Sequence, residues 1–165
     1  MGARGGYKHF DIVPEILAQS GLNLVLTGAP LSESEESQLK GIAYHYAGHV
    51  STEELNRLYN GAFALIYPSL YEGFGLPVIE AQRAGCPVIA SNASSIPEII
   101  GDRTLLMDHS TPEDALEKLA VLNNPEERAR IISAGLENAR RFSWEKMYQE
   151  VQALYEAAIS GGRRR

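Results

Sequence analysis

The chain has a single cysteine, Cys86, among 165 residues. It can form no internal disulfide, and this fits a reducing, cytoplasmic setting. No apolar run reaches the roughly eighteen residues that a membrane span requires. The opening stretch, Met1 to Phe10, has no apolar segment of the kind that directs secretion. A Gly-Lys-Ser/Thr phosphate loop is absent, as is the Gly-x-Ser-x-Gly turn of serine hydrolases. The four histidines, His9, His45, His49 and His109, lack metal-site spacing, so no metal is expected. Basic residues are outnumbered, 15 Lys and Arg against 21 Asp and Glu, for a net charge of -6. That balance argues against a nucleic-acid partner. Locally it is acid that is missing. The first nine residues carry Arg4, Lys8 and His9 and no carboxylate, a positive spot suited to one small anionic ligand.

What is present reads as α/β, with short apolar strands alternating with amphipathic helices around a parallel sheet. The expected strands are 23–27, 44–47, 62–67, 87–90 and 104–107. The segment from Ala62 to Tyr67 is almost wholly apolar, as a central strand covered on both faces should be. Helix starts are legible. Phe10–Ser20 puts Phe10, Val13 and Leu17 on one face and ends at Gly21. Ser32 with Glu35, and Ser51 with Glu54, have capping-box spacing. Thr111-Pro112 and Asn124-Pro125 place a capping side chain before a first-turn proline. Ser143 is expected to cap the last helix, whose Met147, Val151, Leu154 and Ala158 form an apolar stripe expected to pack in the core. Only three residues precede the first glycine-rich loop, where a βαβ unit needs a strand. The first strand is therefore expected to be missing, with one domain over 1–160, a mobile tail over 161–165, and open strand edges that invite dimerisation.

Ligands of open parallel sheets sit beyond the carboxyl ends of the strands, and three segments fall there. The first runs from Gly2 to Lys8. Its glycines allow close backbone approach, and Arg4 and Lys8 can neutralise phosphate, although a plain flexible basic terminus fits equally well. The second is Glu72-Gly73-Phe74-Gly75-Leu76-Pro77-Val78-Ile79-Glu80. Pro77 suits a first helical turn, so the amides of Gly73 to Leu76 would face an anion at a helix N-terminus. Carboxylates at both ends of such a turn suit a ligand that also carries hydroxyls. Against this stand a solvated loop for Glu72 and a favourable helix-dipole charge for Glu80. The third is Ser91 to Glu98, whose hydroxyls are expected to cap a short helix beginning at Pro97. The backbone at Gly48-His49-Val50 could meet the edge of a base.

These residues resemble a known family. Glu72 and Glu80, with seven residues between them including Gly-Phe-Gly-Leu, look like the Glu-x7-Glu motif of group 1 retaining glycosyltransferases with the GT-B fold. The stretch from Tyr67 to Pro77 is a close match. So is Ala81 to Ile89, although the family often has other residues at Gln82 and Arg83. Arg4-Gly5-Gly6-Tyr7-Lys8, Ser91 to Glu98 and Phe142-Ser143-Trp144 are also similar. The resemblance implies the C-terminal, donor-binding half of a GT-B fold, a Rossmann-like parallel sheet flanked by helices. By that resemblance Arg4 and Lys8 would hold the donor diphosphate, and Glu72 would contact the transferred sugar. The amides of Gly73, Phe74, Gly75 and Leu76 would meet sugar or phosphate. Glu80 would bind ribose hydroxyls, Val50 the base, and Gly28 would flank the site. The partners implied are a nucleotide-sugar, with GDP-mannose preferred, and an N-terminal domain of the same enzyme. No cofactor is implied, and peripheral membrane attachment of the full-length enzyme is left open. Alone, the chain is expected to bind donor but not to transfer sugar. A non-catalytic nucleotide-sugar-binding domain and a GT-B epimerase are the alternatives. A phosphorylase would need a cofactor lysine motif that is not seen.

Overall fold

A computed structural model describes residues 4–161. The expected strand loss before the first loop and most of the expected tail lie outside those residues, but Gly161 ends a helix.

Five short strands form two parallel blocks. In one, β1 (Leu24–Thr27) pairs with β2 (Tyr44–Gly48). In the other, β3 (Leu65–Tyr67), β4 (Val88–Ser91) and β5 (Leu106–Met107) lie in that order. The register runs Leu65 against Val88 and Ala90 against Leu106. The single sheet implied by the sequence is thus interrupted between β1 and β3. This corrects the expectation for 62–67. Helix α3 (Thr52–Gly61) runs up to Ala62, the strand is only Leu65–Tyr67, and Leu65 and Ile66 are half-buried. With one edge unpaired, β3 cannot be the central strand. That place belongs to β4, whose four residues are all buried.

Four helices start where a side chain satisfies free amides of the first turn. Ser32 opens α2 (Glu33–Gln38) and Ser51 opens α3, each in a complete capping box. Thr111 caps α6 (Pro112–Val121) and Asn124 caps α7 (Pro125–Ala139). The 10–20 helix begins as a 3-10 turn over Phe10–Ile12 and becomes α1 at Val13–Ser20, stopped by Gly21 at φ +68°. Helix α4 (Leu76–Arg83) packs on α7 through a polar seam. There Asn138 Nδ2 donates to Gln82 Oε1 and to the Ile99 carbonyl, both at 2.7 Å, and Gln82 Nε2 donates to the Ile100 carbonyl at 2.8 Å.

The last helix, α8 (Trp144–Gly161), departs from expectation. Ser143 sits at its start and accepts from the Lys146 amide at 3.4 Å. Its apolar stripe does not pack in the core: Met147, Val151 and Leu154 are exposed, Leu154 at 71%. The described residues present no surface that covers it.

Candidate functional site

The carboxyl end of β3 leads through Pro68 and Ser69 into the Glu72–Gly75 turn, and the Gly5–Lys8 loop folds onto the same spot. The Leu70 amide donates to the Tyr7 carbonyl at 2.8 Å, and the Tyr7 ring meets Tyr71 edge-on at 6.5 Å. This contact carries Lys8 across 64 positions of sequence to Glu72, with Nζ to Oε1 at 2.5 Å. Nζ also lies 5.7 Å from the centre of the Tyr67 ring, within cation–π range. Burial opposes ionisation of Glu72. The Lys8 ammonium and the hydroxyls of Tyr67 and Ser69 outweigh it and hold the carboxyl below its ordinary value. Tyr67, in turn, is pushed well above the usual phenol range by burial and then by Glu72.

Past Glu72 the backbone turns into α4. Gly75 sits at φ +99° as the residue before the helix, with no side-chain cap. A Cβ on Gly75 would lie 2.8 Å from Ile96 Cδ1 and 2.9 Å from Ile99 Cδ1, so only glycine fits. The amides of Gly73, Phe74, Gly75 and Leu76 find no acceptor among the described residues. Gly73 and the side chains of Phe74 and Leu76 are exposed. Four free amides at a helix N-terminus beside an ammonium form a place for an anion.

The segment from Ser91 to Glu98 behaves differently from its expected capping role. Ser95 makes no side-chain cap on α5 (Ile96–Ile99). The Ser94 hydroxyl instead donates to the Glu72 carbonyl at 2.8 Å, and the Ser95 hydroxyl lies 2.9 and 3.0 Å from the Glu72 and Phe74 carbonyls. These two serines tie the glycine turn down from behind. Ser94 adopts a left-handed φ of 54°, a strain that sequence alone does not signal.

The remaining predicted residues are not gathered at one point. Arg4 does not reach Glu72 in this structure. It is 9% exposed; Nε donates to Glu35 Oε1 at 2.9 Å, and Nη2 to the carbonyls of Ala29 and Pro30 at 2.7 and 2.8 Å. Glu35 therefore closes a capping box and holds Arg4 at once, and its carboxyl lies below the usual range because bonds to Ser32 and Arg4 outweigh the opposing effect of burial. Gly28, at φ +99°, and Val50 lie beyond the carboxyl ends of β1 and β2. The Gly28 carbonyl accepts the Tyr46 hydroxyl at 2.8 Å. Glu80 is exposed on α4, with no described bond to Glu72 or Lys8.

A family model described as glycosyl transferases group 1 matches residues 5–138. The chain belongs to this family. Over 113 residues it is 43% identical to an O-antigen chain mannosyltransferase B of Escherichia coli, covering 67% of the chain and 29% of that protein. It is 38% identical over 121 residues to an MMP alpha-(1->4)-mannosyltransferase of Mycolicibacterium hassiacum, covering 70% and 29%. The chain thus spans about a third of the length of these curated relatives. Among solved structures, an Anabaena protein in complex with UDP and glucose superposes with a TM-score of 0.82 at 20% identity, over 94% of the chain and 47% of that protein. The fold is a fragment of the GT-B architecture.

Proposed function

We propose that this glycosyltransferase-family domain binds the nucleotide-sugar donor of a retaining transfer, completed by a second domain across a cleft. The reading rests on one observation: Lys8 and Glu72 meet beside four unpartnered amides at the N-terminus of α4. The amides of Gly73 to Leu76 and the Lys8 ammonium receive the diphosphate, and Glu72 takes hydroxyls of the sugar. Glu80 takes the ribose hydroxyls, while the Val50 backbone meets the base and Gly28 flanks it. As the bond from the anomeric carbon to the β-phosphate oxygen breaks, its electron pair stays on phosphate, and Lys8 neutralises that charge. The acceptor hydroxyl oxygen attacks the same face of the oxocarbenium-like sugar and gives its proton to the departing phosphate oxygen, so configuration is retained. The proposal needs no metal or cofactor. Arg4 reaches the phosphates only by leaving Glu35, so in this arrangement it supports the β1–α2 loop while Lys8 carries the contact. GDP-mannose is the preferred donor, supported by the mannosyltransferase names of the relatives. Without the other wall of the cleft, the chain binds donor but lacks the acceptor positioning that transfer requires.

Calorimetry with GDP, UDP, ADP and their sugars tests this. Weak binding led by GDP, reduced by Glu80→Ala and by Lys8→Ala, is the expected result. A chain that binds none of them, or that binds equally well with both residues replaced, refutes the assignment. In the full-length enzyme, loss of a charge-assisted bond of about 1.5–3 kcal/mol makes Lys8→Ala slower by roughly tenfold to a few hundredfold.

A further inference from the structure

Lys8 has two kinds of partner. One is the Glu72 carboxylate, at 2.5 Å. The other is aromatic: Nζ stands 5.2 Å from the centre of the Tyr7 ring and 5.7 Å from that of Tyr67. Both distances fall within the roughly 6 Å at which a ring face attracts a cation. The ammonium is therefore held by two rings as well as by an acid.

The two rings are not equivalent. Tyr7 is the chain neighbour of Lys8 and is 55% exposed on the same loop. Tyr67 belongs to the core. It is the last residue of β3, pairs in register with Ala90 of the buried strand β4, is 8% exposed and clusters with Val78, Ile96 and Ile99. Close packing gives such a ring one position. Of the three contacts to Lys8, this is the one fixed by the sheet. The Tyr67 hydroxyl also serves Glu72, so a single side chain touches both charges.

That difference matters when an anion arrives. Lysine is a point charge on a flexible four-carbon stem. With Glu72 as its only anchor, losing the acid to a sugar hydroxyl would free the stem, and phosphate would have to order it again. A ring that stays in place removes that cost. Attraction to a ring face also leaves the three N–H donors of the ammonium available for phosphate oxygens.

We propose that Tyr67 is a positioning residue whose ring keeps the Lys8 ammonium beside the α4 N-terminus whether or not Glu72 is bound to it. Its role in donor binding rests on the reading above; the ring contact itself does not. Two measurements separate the two. The first is the nuclear Overhauser contact between the Lys8 ε-methylene and the Tyr67 ring in the free chain. It is expected in the parent and also in Glu72→Leu, which offers the ammonium no acceptor. Its loss in Glu72→Leu would show that the acid alone holds Lys8 and would overturn the proposal. The second is GDP affinity by calorimetry for Tyr67→Leu and Tyr67→Phe, in the parent and in Lys8→Met. Tyr67→Leu is expected to weaken binding by roughly threefold to thirtyfold in the parent and to change nothing further once Lys8 is replaced. Tyr67→Phe keeps the ring and should bind as the parent does. Equal losses from Tyr67→Leu in both backgrounds would reduce Tyr67 to a packing residue and sink the proposal. So would a Tyr67→Phe variant as weak as Tyr67→Leu. A parent that binds no GDP would strike the donor reading, and the contact in Glu72→Leu would then decide for or against the ring alone.

Discussion

Glu72 is poised by its neighbours, and the sign of their effect can be measured. Its ordinary pKa is 4.5, and the folded value lies lower. The ionised carboxylate therefore adds stability that is fully present above pH 4.5 and fades as pH falls through the folded value. Lys8→Met removes the strongest opposing contact and leaves the Tyr67 and Ser69 hydroxyls alone against burial. The folded pKa then moves back up toward the ordinary value, so the variant should lose less stability than the parent as the solution is acidified. Urea midpoints followed downward from neutral pH check this. The two glycines of the turn differ just as sharply. Gly75→Ala meets Ile96 and Ile99 at a left-handed φ, and strain plus overpacking should cost about 2–4 kcal/mol. Gly73 has open space for a Cβ, so Gly73→Ala should stay within about 0.5 kcal/mol in denaturant titration.

Among elements, what the sequence makes legible is whatever rests on neighbouring residues. The Ser32, Ser51, Thr111 and Asn124 starts follow from side chains reaching amides two or three positions away, and all are found. The Glu72 turn was legible for the same reason, since Gly-Phe-Gly-Leu-Pro dictates a helix start. Contacts spanning tens of residues were not. Nothing near Arg4 announces Glu35, and nothing near Ser94 announces the Glu72 carbonyl, because each pairing is made by the tertiary fold. The apolar pattern of 62–67 suggested a longer central strand, but pattern reports burial and not which edges are paired. The α4–α7 seam is of the same hidden kind. Asn138→Leu leaves the Gln82 amide oxygen and the Ile99 carbonyl unsatisfied inside the protein. At about 1–3 kcal/mol for each of the two stranded groups, a loss of about 2–6 kcal/mol is expected in thermal or chemical unfolding.

Across the whole molecule, burial is uneven. Cys86 is 2% exposed, and burial pushes its thiol up to about 11. It should resist alkylation while the chain is folded and react only at the rate of opening, making it a native probe of global stability. Trp144, the sole tryptophan, is 74% exposed at the start of α8. Its emission should be that of a solvated indole and should shift little on unfolding. A strong shift would show that something covers this helix in solution. Removing 143–161 should leave the thermal midpoint nearly unchanged, since the helix buries almost nothing among the described residues.

The Lys8–Glu72 pair has a consequence for the order of events. Each charge is latched onto the other. Under the proposed function, an incoming phosphate would have to compete for the ammonium, and in winning it would release the acid to turn toward the sugar. The donor would then unlock its own site.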